Sequence, residues 1–414
     1  MQKLNVYFMK DLSDAIVIGA GPCGSYTALN LARQGVSVKV FEEHKEIGIP
    51  SHCAGHLSIK GLKQLELHPL PQQIVENVFH GATFCSPKGN EFTVRLASPV
   101  TCSVNRVLFD KHVAQKAQDA GADYNLSSRV ESLVTKEGMV KGVMVKQEQK
   151  KEYLAKIVVD AEGVSSRLLK EAGLPGPNRS KLVNAVEAEV ENVKDTEADK
   201  VEVFLGKEYA PGFYAWLIPK KNGKAKVGLA AKTGNLKELL QKLMLKHPIA
   251  SKKLRAAKIT QTAFHPVTLG GPTAKSYTNG FLTVGDAASQ VKPTTGGGVI
   301  FGMTCAQIAA QVADEALRKD DVSKEFLGTY QKRCKQILSF DVRVMLRMRR
   351  TLDGLSDERI DSLIGLCKRL GLDSTLQNVE DIDFQGHTFL RTLRSPRILT
   401  ALGYFFFAYL SANL

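Results

Sequence analysis

An α/β fold is predicted for this chain, with a parallel core, an inserted antiparallel-sheet domain and a helical C-terminal region. Three observations predict it. The apolar run from Asp14 to Ile18 passes into Gly19-Ala20-Gly21-Pro22-Cys23-Gly24 and then into helical spacing through Ala28, Leu29, Leu31 and Ala32. Strand-like segments around Ala185 to Val190, Val201 to Leu205, Tyr214 to Pro219 and Lys226 to Ala231 are separated by turn residues rather than by full helices. A late run, Phe281 to Asp286, reads as a strand that ends at the Gly285-Asp286 pair, and three glycines then lead into a helix from about Val299.

The remaining elements follow in order. Gly35 ends the first helix, and Val36 to Phe41 forms a strand that closes on Glu42, so a parallel β-α-β unit is expected. Short pieces with prolines fill Leu57 to Ala97. Arg106 to Ala120 is helical and stops at Gly121, and Val130 to Val134, Val143 to Val145 and Ile157 to Val159 read as further strands. Beyond Lys319 the spacing is helical nearly to the end, without an internal repeat. The expected organisation is a discontinuous nucleotide-binding domain over 12–56, 98–178 and 276–318, a substrate domain over 57–97 and 179–275, and a helical region over 319–414.

Length and composition bound the partners. The chain has 414 residues, 43% hydrophobic and 24% charged, too many for one compact core. Its formal charge of +14 favours an anionic partner such as a phospholipid surface or a phosphate-bearing substrate. Nucleic acid is not expected, because the Lys and Arg residues are dispersed and no recognition module accompanies them. Seven scattered cysteines without a CxxC pair argue against an iron–sulfur or zinc site, and His52 and His56 read as polar loop residues rather than ligands, so no metal is expected. Cys305 and Cys334 fall on two predicted helices, and two separate buried thiols are the expectation. The apolar start, Val6 to Met9, is too short for a signal peptide, so a cytoplasmic location is expected.

The G-x-G-x-x-G lies between strand and helix, with Glu42 eighteen positions beyond Gly24, the context of a Rossmann-type dinucleotide site. Gly19 permits the tight turn, Gly21 lets a pyrophosphate approach the backbone, and Gly24 brings helix close to strand. The helix N-terminus offers N–H groups and partial positive charge, and Glu42 suits a ribose. This motif alone does not separate NAD from FAD. A second constellation nearly a whole chain away does, since only FAD is long enough to need both. Asp286, after Gly285, would accept from a ribityl hydroxyl, and Gly296, Gly297 and Gly298 would aim a helix N-terminus at the flavin ring.

With these motifs the chain resembles the glutathione reductase-2 type flavoproteins, the group holding aromatic hydroxylases and geranylgeranyl reductases. Ala161-Glu162-Gly163-Val164-Ser165-Ser166 is similar to the group's A-D-G-x-x-S element, with Glu for Asp, and Gly285 to Ala288 to its G-D-A-A. Arg106, in Arg106-Val107-Leu108-Phe109-Asp110, matches an arginine placed near the FAD, and Val130 falls where such proteins bond adenine through the backbone. Pro50-Ser51-His52-Cys53-Ala54-Gly55 and Tyr214-Ala215-Trp216-Leu217-Ile218-Pro219 resemble the P-x-x-C-G and Y-x-W-x-F-P elements of archaeal-type geranylgeranyl reductases, with Ala54 for Gly and Ile218 for Phe. The resemblance covers roughly Asp14 to Ala310 and implies FAD-dependent reduction of isoprenoid double bonds. Tyr214 and Trp216 would line the lipid tunnel, and Cys53 would be the acid that protonates the alkene, although a lone thiol is more often a small buried hydrophobe.

No second G-x-G-x-x-G follows another strand, so electrons are expected from outside, from ferredoxin, a reduced deazaflavin or NAD(P)H. Ile398 to Leu414 carries no charge and holds Tyr404, Phe405, Phe406, Phe407 and Tyr409 behind Arg391, Arg394 and Arg397. It is short of a spanning helix, and covers the lipid pocket, lies in the membrane interface on the inner face, or is a plain C-terminal core helix. An FAD monooxygenase and a non-catalytic flavin or lipid electron carrier are the rival readings.

Overall fold

The computed structural model describes residues 12–376, 381–393 and 395–410, apart from the side chains of residues 375 and 405–410. The run Val6 to Met9, Arg394, and the side chains of Phe405, Phe406, Phe407 and Tyr409 lie outside the described residues. The chain divides into two compact units. The first comprises the chain up to Pro50, Val107–Ser180 and Thr268–Ser339; the second comprises Ser51–Arg106, Lys181–Val267 and Phe340–Leu414.

In the first unit, Leu12–Ile18 is the centre of an eight-stranded sheet. Its residues Ala15 to Val17 are fully buried, as a strand covered on both faces requires. Lys150–Asp160 and Val38–Phe41 pair with it in parallel on either side, with Ile18 opposite both Asp160 and Phe41. Beyond them lie Asp123–Asn125 and Phe281–Thr283, also parallel. An antiparallel hairpin, Arg129–Lys136 and Met139–Lys146, extends the sheet from Lys150–Asp160. The helices Pro22–Arg33 and Val299–Arg318 pack against one another. The mixed α/β architecture is the one the sequence predicts.

The second unit holds a seven-stranded sheet and a three-stranded one. In the larger sheet Leu182–Glu191, Ala225–Ala231 and Ala215–Pro219 are antiparallel neighbours. Strict alternation gives this sheet two unlike faces. Val186, Ala188, Leu217, Val227 and Leu229 face a core completed by Leu240 and Leu243 of the helix Leu236–Lys246. Glu187, Glu189, Trp216, Lys226 and Gly228 fall on the opposite face. That helix, capped by Asn235, and the edge strand Lys258–Thr268 are elements that sequence reading passed over.

Two differences from the expected organisation concern the borders, and a third concerns one local element. Cys53 and Arg106, expected in the nucleotide-binding domain, belong to the second unit, because His56–Ser58 and Thr101–Val104 pair in the three-stranded sheet with Val75–Phe79. The region 319–414 is no third unit: the division falls at Ser339, inside the helix Lys324–Gly354. Gly285 and Asp286 are not strand residues but open a single 3-10 turn, Gly285–Ala288.

Phe204 is fully buried in the second unit's core. Phe204→Ala is expected to lower the unfolding free energy by about 3–5 kcal/mol, read from the urea midpoint.

Candidate active site

The carboxyl ends of the first unit's parallel strands converge at the glycine turn. Gly19 N–H donates to Phe41 O (2.8 Å), Ala161 N–H to Ile18 O (2.9 Å), and Val284 N–H to Asp160 O (2.9 Å), so each strand hands its last carbonyl to the next loop. Three loops are thereby registered at one sheet edge, where open α/β sheets bind ligands. Gly19 has φ +92°, and a Cβ there would lie 2.6 Å from Ala161 O. A Cβ on Gly24 would lie 2.0 Å from Gly19 O, whereas one on Gly21 would meet nothing within 4 Å. Two glycines are thus closed in by protein, and the middle one faces open space.

These residues fit a dinucleotide. The helix Pro22–Arg33 starts at Gly21 without a side-chain cap, which leaves its first-turn N–H groups to an anion. Glu42 accepts from Ala20 N–H (2.7 Å) and from His44 N–H (3.0 Å), and retains acceptor capacity for a ribose hydroxyl. Next to it, Asn125 Nδ2 is buried and lacks a partner among the described residues, a donor that nucleotide oxygens would satisfy.

The second glycine cluster meets the first through Cys23. A Cβ on Gly285 would lie 2.9 Å from Cys23 Sγ, and one on Gly302 would lie 2.5 Å from it. The thiol therefore fills the junction between the two motifs. A Cβ on Gly298 would lie 2.8 Å from Asp286 Oδ1, so the glycine run lies directly against that carboxylate. Gly296 takes φ +69° to make the turn, and Gly297 lies against the Lys292 side chain.

Several residues that hold this edge were not singled out from sequence. Gln290 Oε1 accepts from Gly285 N–H (2.8 Å), its Nε2 donates to Tyr330 (2.7 Å), and the Tyr330 hydroxyl donates to Thr283 O (2.9 Å). Asp160, fully buried, accepts from Glu162 N–H (3.0 Å) and from the Thr283 hydroxyl (3.5 Å); burial, then the neighbouring Glu162, raises its carboxyl far above the ordinary range. Its place at the end of an apolar strand, just before Ala161-Glu162-Gly163, was a usable signal. Glu162 accepts from Leu168 N–H (2.8 Å), and Val130 O accepts from Arg167 (3.0 Å). Cys305 and Cys334 are buried free thiols, and the neighbouring Cys334 together with burial pushes the Cys305 thiol well up.

In the second unit, the Cys53 loop closes at Gly55, whose φ is +67°. A Cβ on Gly55 would lie 2.3 Å from Val104 O and 3.2 Å from Arg106 Cγ. Cys53 is half-buried, and its sulfur accepts from Gly55 N–H at 3.5 Å. His52 stacks on His265 with ring centroids 5.2 Å apart, and His56 Nε2 is 2.8 Å from the Thr101 hydroxyl. Trp216 lies over Gly228, where a Cβ would come within 2.5 Å of the indole, and Tyr214 meets Trp216 edge to face at 5.9 Å. Ala54 and Trp216 both pack against Phe79, Val201 and Ile218. The Trp216 N–H donates to Glu187 Oε2 (3.1 Å). Burial pushes the Glu187 carboxyl up to about 7, against the pull of Lys226 and of the indole N–H.

A parallel sheet with paired glycine motifs at its carboxyl edge defines a class, the FAD-binding flavoproteins. The FAD binding domain family matches residues 13–340. Digeranylgeranylglycerophospholipid reductase 2 of Methanopyrus kandleri is 33% identical over 84% of this chain and 89% of its own. The protein of the same name from Methanothermobacter thermautotrophicus is 34% identical over 85% of this chain and 90% of its own. The chain belongs to the digeranylgeranylglycerophospholipid reductase family of FAD-binding proteins. Its cofactor is FAD. The crystal structure of a geranylgeranyl bacteriochlorophyll reductase-like protein from Thermoplasma acidophilum superposes with a TM-score of 0.85 at 26% identity, over 95% of this chain and 99% of that one.

Two outcomes are expected. Gly24→Ala must push the turn apart, so FAD retention after gel filtration, read as the flavin-to-protein absorbance ratio, should weaken at least about tenfold. Glu187 favours its protonated form in the fold, because its pKa of about 7 exceeds the ordinary 4.5. Its stabilising contribution is complete below the lower value and is lost as pH rises through the higher one. The urea midpoint should therefore fall between about pH 4.5 and about pH 7, with a parallel change in Trp216 fluorescence, and Glu187→Gln should flatten both.

Proposed function

We propose that this chain is an FAD-dependent reductase that saturates carbon–carbon double bonds of geranylgeranyl chains on membrane lipids or their precursors. The observation that carries the reading is the shared anchoring of Ala54, beside Cys53, and of Trp216 in one apolar cluster. A thiol and an aromatic wall are what a flexible, water-shy alkene needs beside it. The names of the relatives support the same reading.

In this proposal Gly19, Gly21, Gly24 and Glu42 hold the adenosine diphosphate half of the cofactor, with Val130. Gly285, Asp286, Gly296, Gly297 and Gly298 hold the flavin half. Reduced FAD, when bound, supplies a hydride to one alkene carbon. Tyr214 and Trp216 hold the isoprenoid chain by its flat π faces. The Cys53 thiol donates its proton to the other carbon, and its thiolate then regains a proton from water. An isolated alkene is a poor hydride acceptor, so the positioned acid must act together with hydride transfer. The second unit would take the lipid and the first the FAD.

Electrons would come from ferredoxin, a reduced deazaflavin or NAD(P)H. Among the described residues no helix is long and apolar enough to cross a membrane. The helix Pro396–Leu410 buries Ile398 and Ala401 against Ile360, Ile364 and Leu372. Its apolar end and the basic charge suit peripheral contact with the inner membrane face.

The test is anaerobic. Flavin reduced with dithionite and mixed with a geranylgeranyl phospholipid should reoxidise while the lipid gains two hydrogens per turnover, read by mass spectrometry. Reoxidation only after oxygen enters would mean a monooxygenase, and no reoxidation by lipid a carrier. Cys53→Ser should retain FAD and lose turnover by about 10²-fold or more; a fully active variant would remove Cys53 from the mechanism.

A further inference from the structure

Lys226 is buried on the Trp216 face of the seven-stranded sheet, its side chain only 5% exposed. Its ammonium lies 2.8 Å from Glu76 Oε2, 3.1 Å from Ala54 O and 3.3 Å from Val104 O. An ammonium has three N–H donors, and three oxygens converge on this one, two as hydrogen-bond acceptors and one as an ion-pair partner. Two of them are main-chain carbonyls, one in the residue after Cys53 and one at the end of the strand on which Gly55 closes. The third belongs to a neutral ring of charge. Glu76 also binds Lys220 (2.8 Å), Lys220 binds Glu189 (2.8 Å), and Glu189 returns to within 3.9 Å of Lys226.

Replacing a buried ion pair by apolar groups of similar volume often leaves stability unchanged or improves it, so stability alone does not account for a lysine here. An apolar side chain, however, would leave the Ala54 and Val104 carbonyls without this donor. Lys226 lies two residues from Gly228, the seat of the Trp216 indole, on the same strand and face. One strand therefore sets both the indole and the Cys53 loop.

We propose that Lys226 is a positioning residue of the reductase, holding the Cys53 loop in register with Trp216 through the Ala54 and Val104 carbonyls. The inference rests on the role assigned to Cys53 above. It also gives a reason why Ala can stand at position 54: the clamp grips the main chain and is indifferent to a methyl group.

The test uses the FAD-bound full chain with Lys226→Met, and the charge-balanced pair Lys226→Met with Glu76→Gln in case the single variant fails to fold. Site-resolved alkylation of Cys53 by iodoacetamide is followed by mass spectrometry beside kcat and KM for the geranylgeranyl lipid. The expected result is retained FAD, Cys53 alkylation about tenfold faster as the loop loosens, and kcat lowered by about 10²-fold with KM changed less than about twofold. A role confined to stability would lower the melting temperature and move neither quantity. A folded, FAD-bearing variant with the parent alkylation rate would overturn the proposal, whatever its kcat. If Cys53→Ser stays active while Lys226→Met still speeds Cys53 alkylation, the clamp stands and the catalytic assignment of Cys53 falls.

Discussion

The close approach of main chain to main chain at the carboxyl edge of the first unit's sheet is the constraint on which the nucleotide site depends. Gly24 can sit on the Gly19 carbonyl, and Gly19 on the Ala161 carbonyl, only because none of these contacts has to admit a side chain. The same economy of volume joins the second motif to the first, where one sulfur atom, Cys23 Sγ, occupies the gap between Gly285 and Gly302. Strand-to-loop hydrogen bonds from Gly19, Ala161 and Val284 then fix three loops to neighbouring strand ends. The two glycine motifs thus open at the same edge of one sheet, after strands separated only by Lys150–Asp160, which suits the two ends of a long cofactor.

The second unit answers a different physical demand. One face of its large sheet is apolar and closed by a helix, while the other carries Lys220, Lys226 and Glu189 in a ring closed by Glu76 of the strand Val75–Phe79, a glutamate bonded to an indole, and a lysine that ties down the cysteine loop by its carbonyls. Burial pushes the Glu187 carboxyl upward, whereas Glu76, though also penalised by burial, is held below the ordinary range by Lys226 and Lys220. Glu76, on the strand Val75–Phe79, has two cations in contact, whereas Glu187 has only the more distant Lys226 and an indole N–H, so the two carboxyls shift in opposite directions.

Much was readable from the chain before any coordinates. The glycine turn, the acid at Glu42, the Gly285-Asp286 pair and the alternating segments of the large sheet are signals carried by a few consecutive residues, and the elements form where those signals lie. The borders between units were less readable. Cys53 and Arg106 sit in stretches whose local pattern suits either domain, and only the pairing of His56–Ser58 and Val75–Phe79 with Thr101–Val104 assigns them to the second. The helix Leu236–Lys246 was passed over although Asn235 stands as its cap.

Local backbone chemistry, then, is written along the chain, since glycine freedom, strand alternation and helix caps each need only near neighbours. The partners of Cys23, Gln290, Tyr330, Glu187 and Lys226 are not, because each meets groups tens to hundreds of positions away. Lys226 is 172 residues from the Ala54 carbonyl it holds, and Tyr330 is 47 from that of Thr283. Sheet register chose the contacts of Glu187 and Lys226, since it decides both faces of every strand at once, and helix and loop packing chose those of Cys23, Gln290 and Tyr330; neither leaves a trace in a short window of sequence.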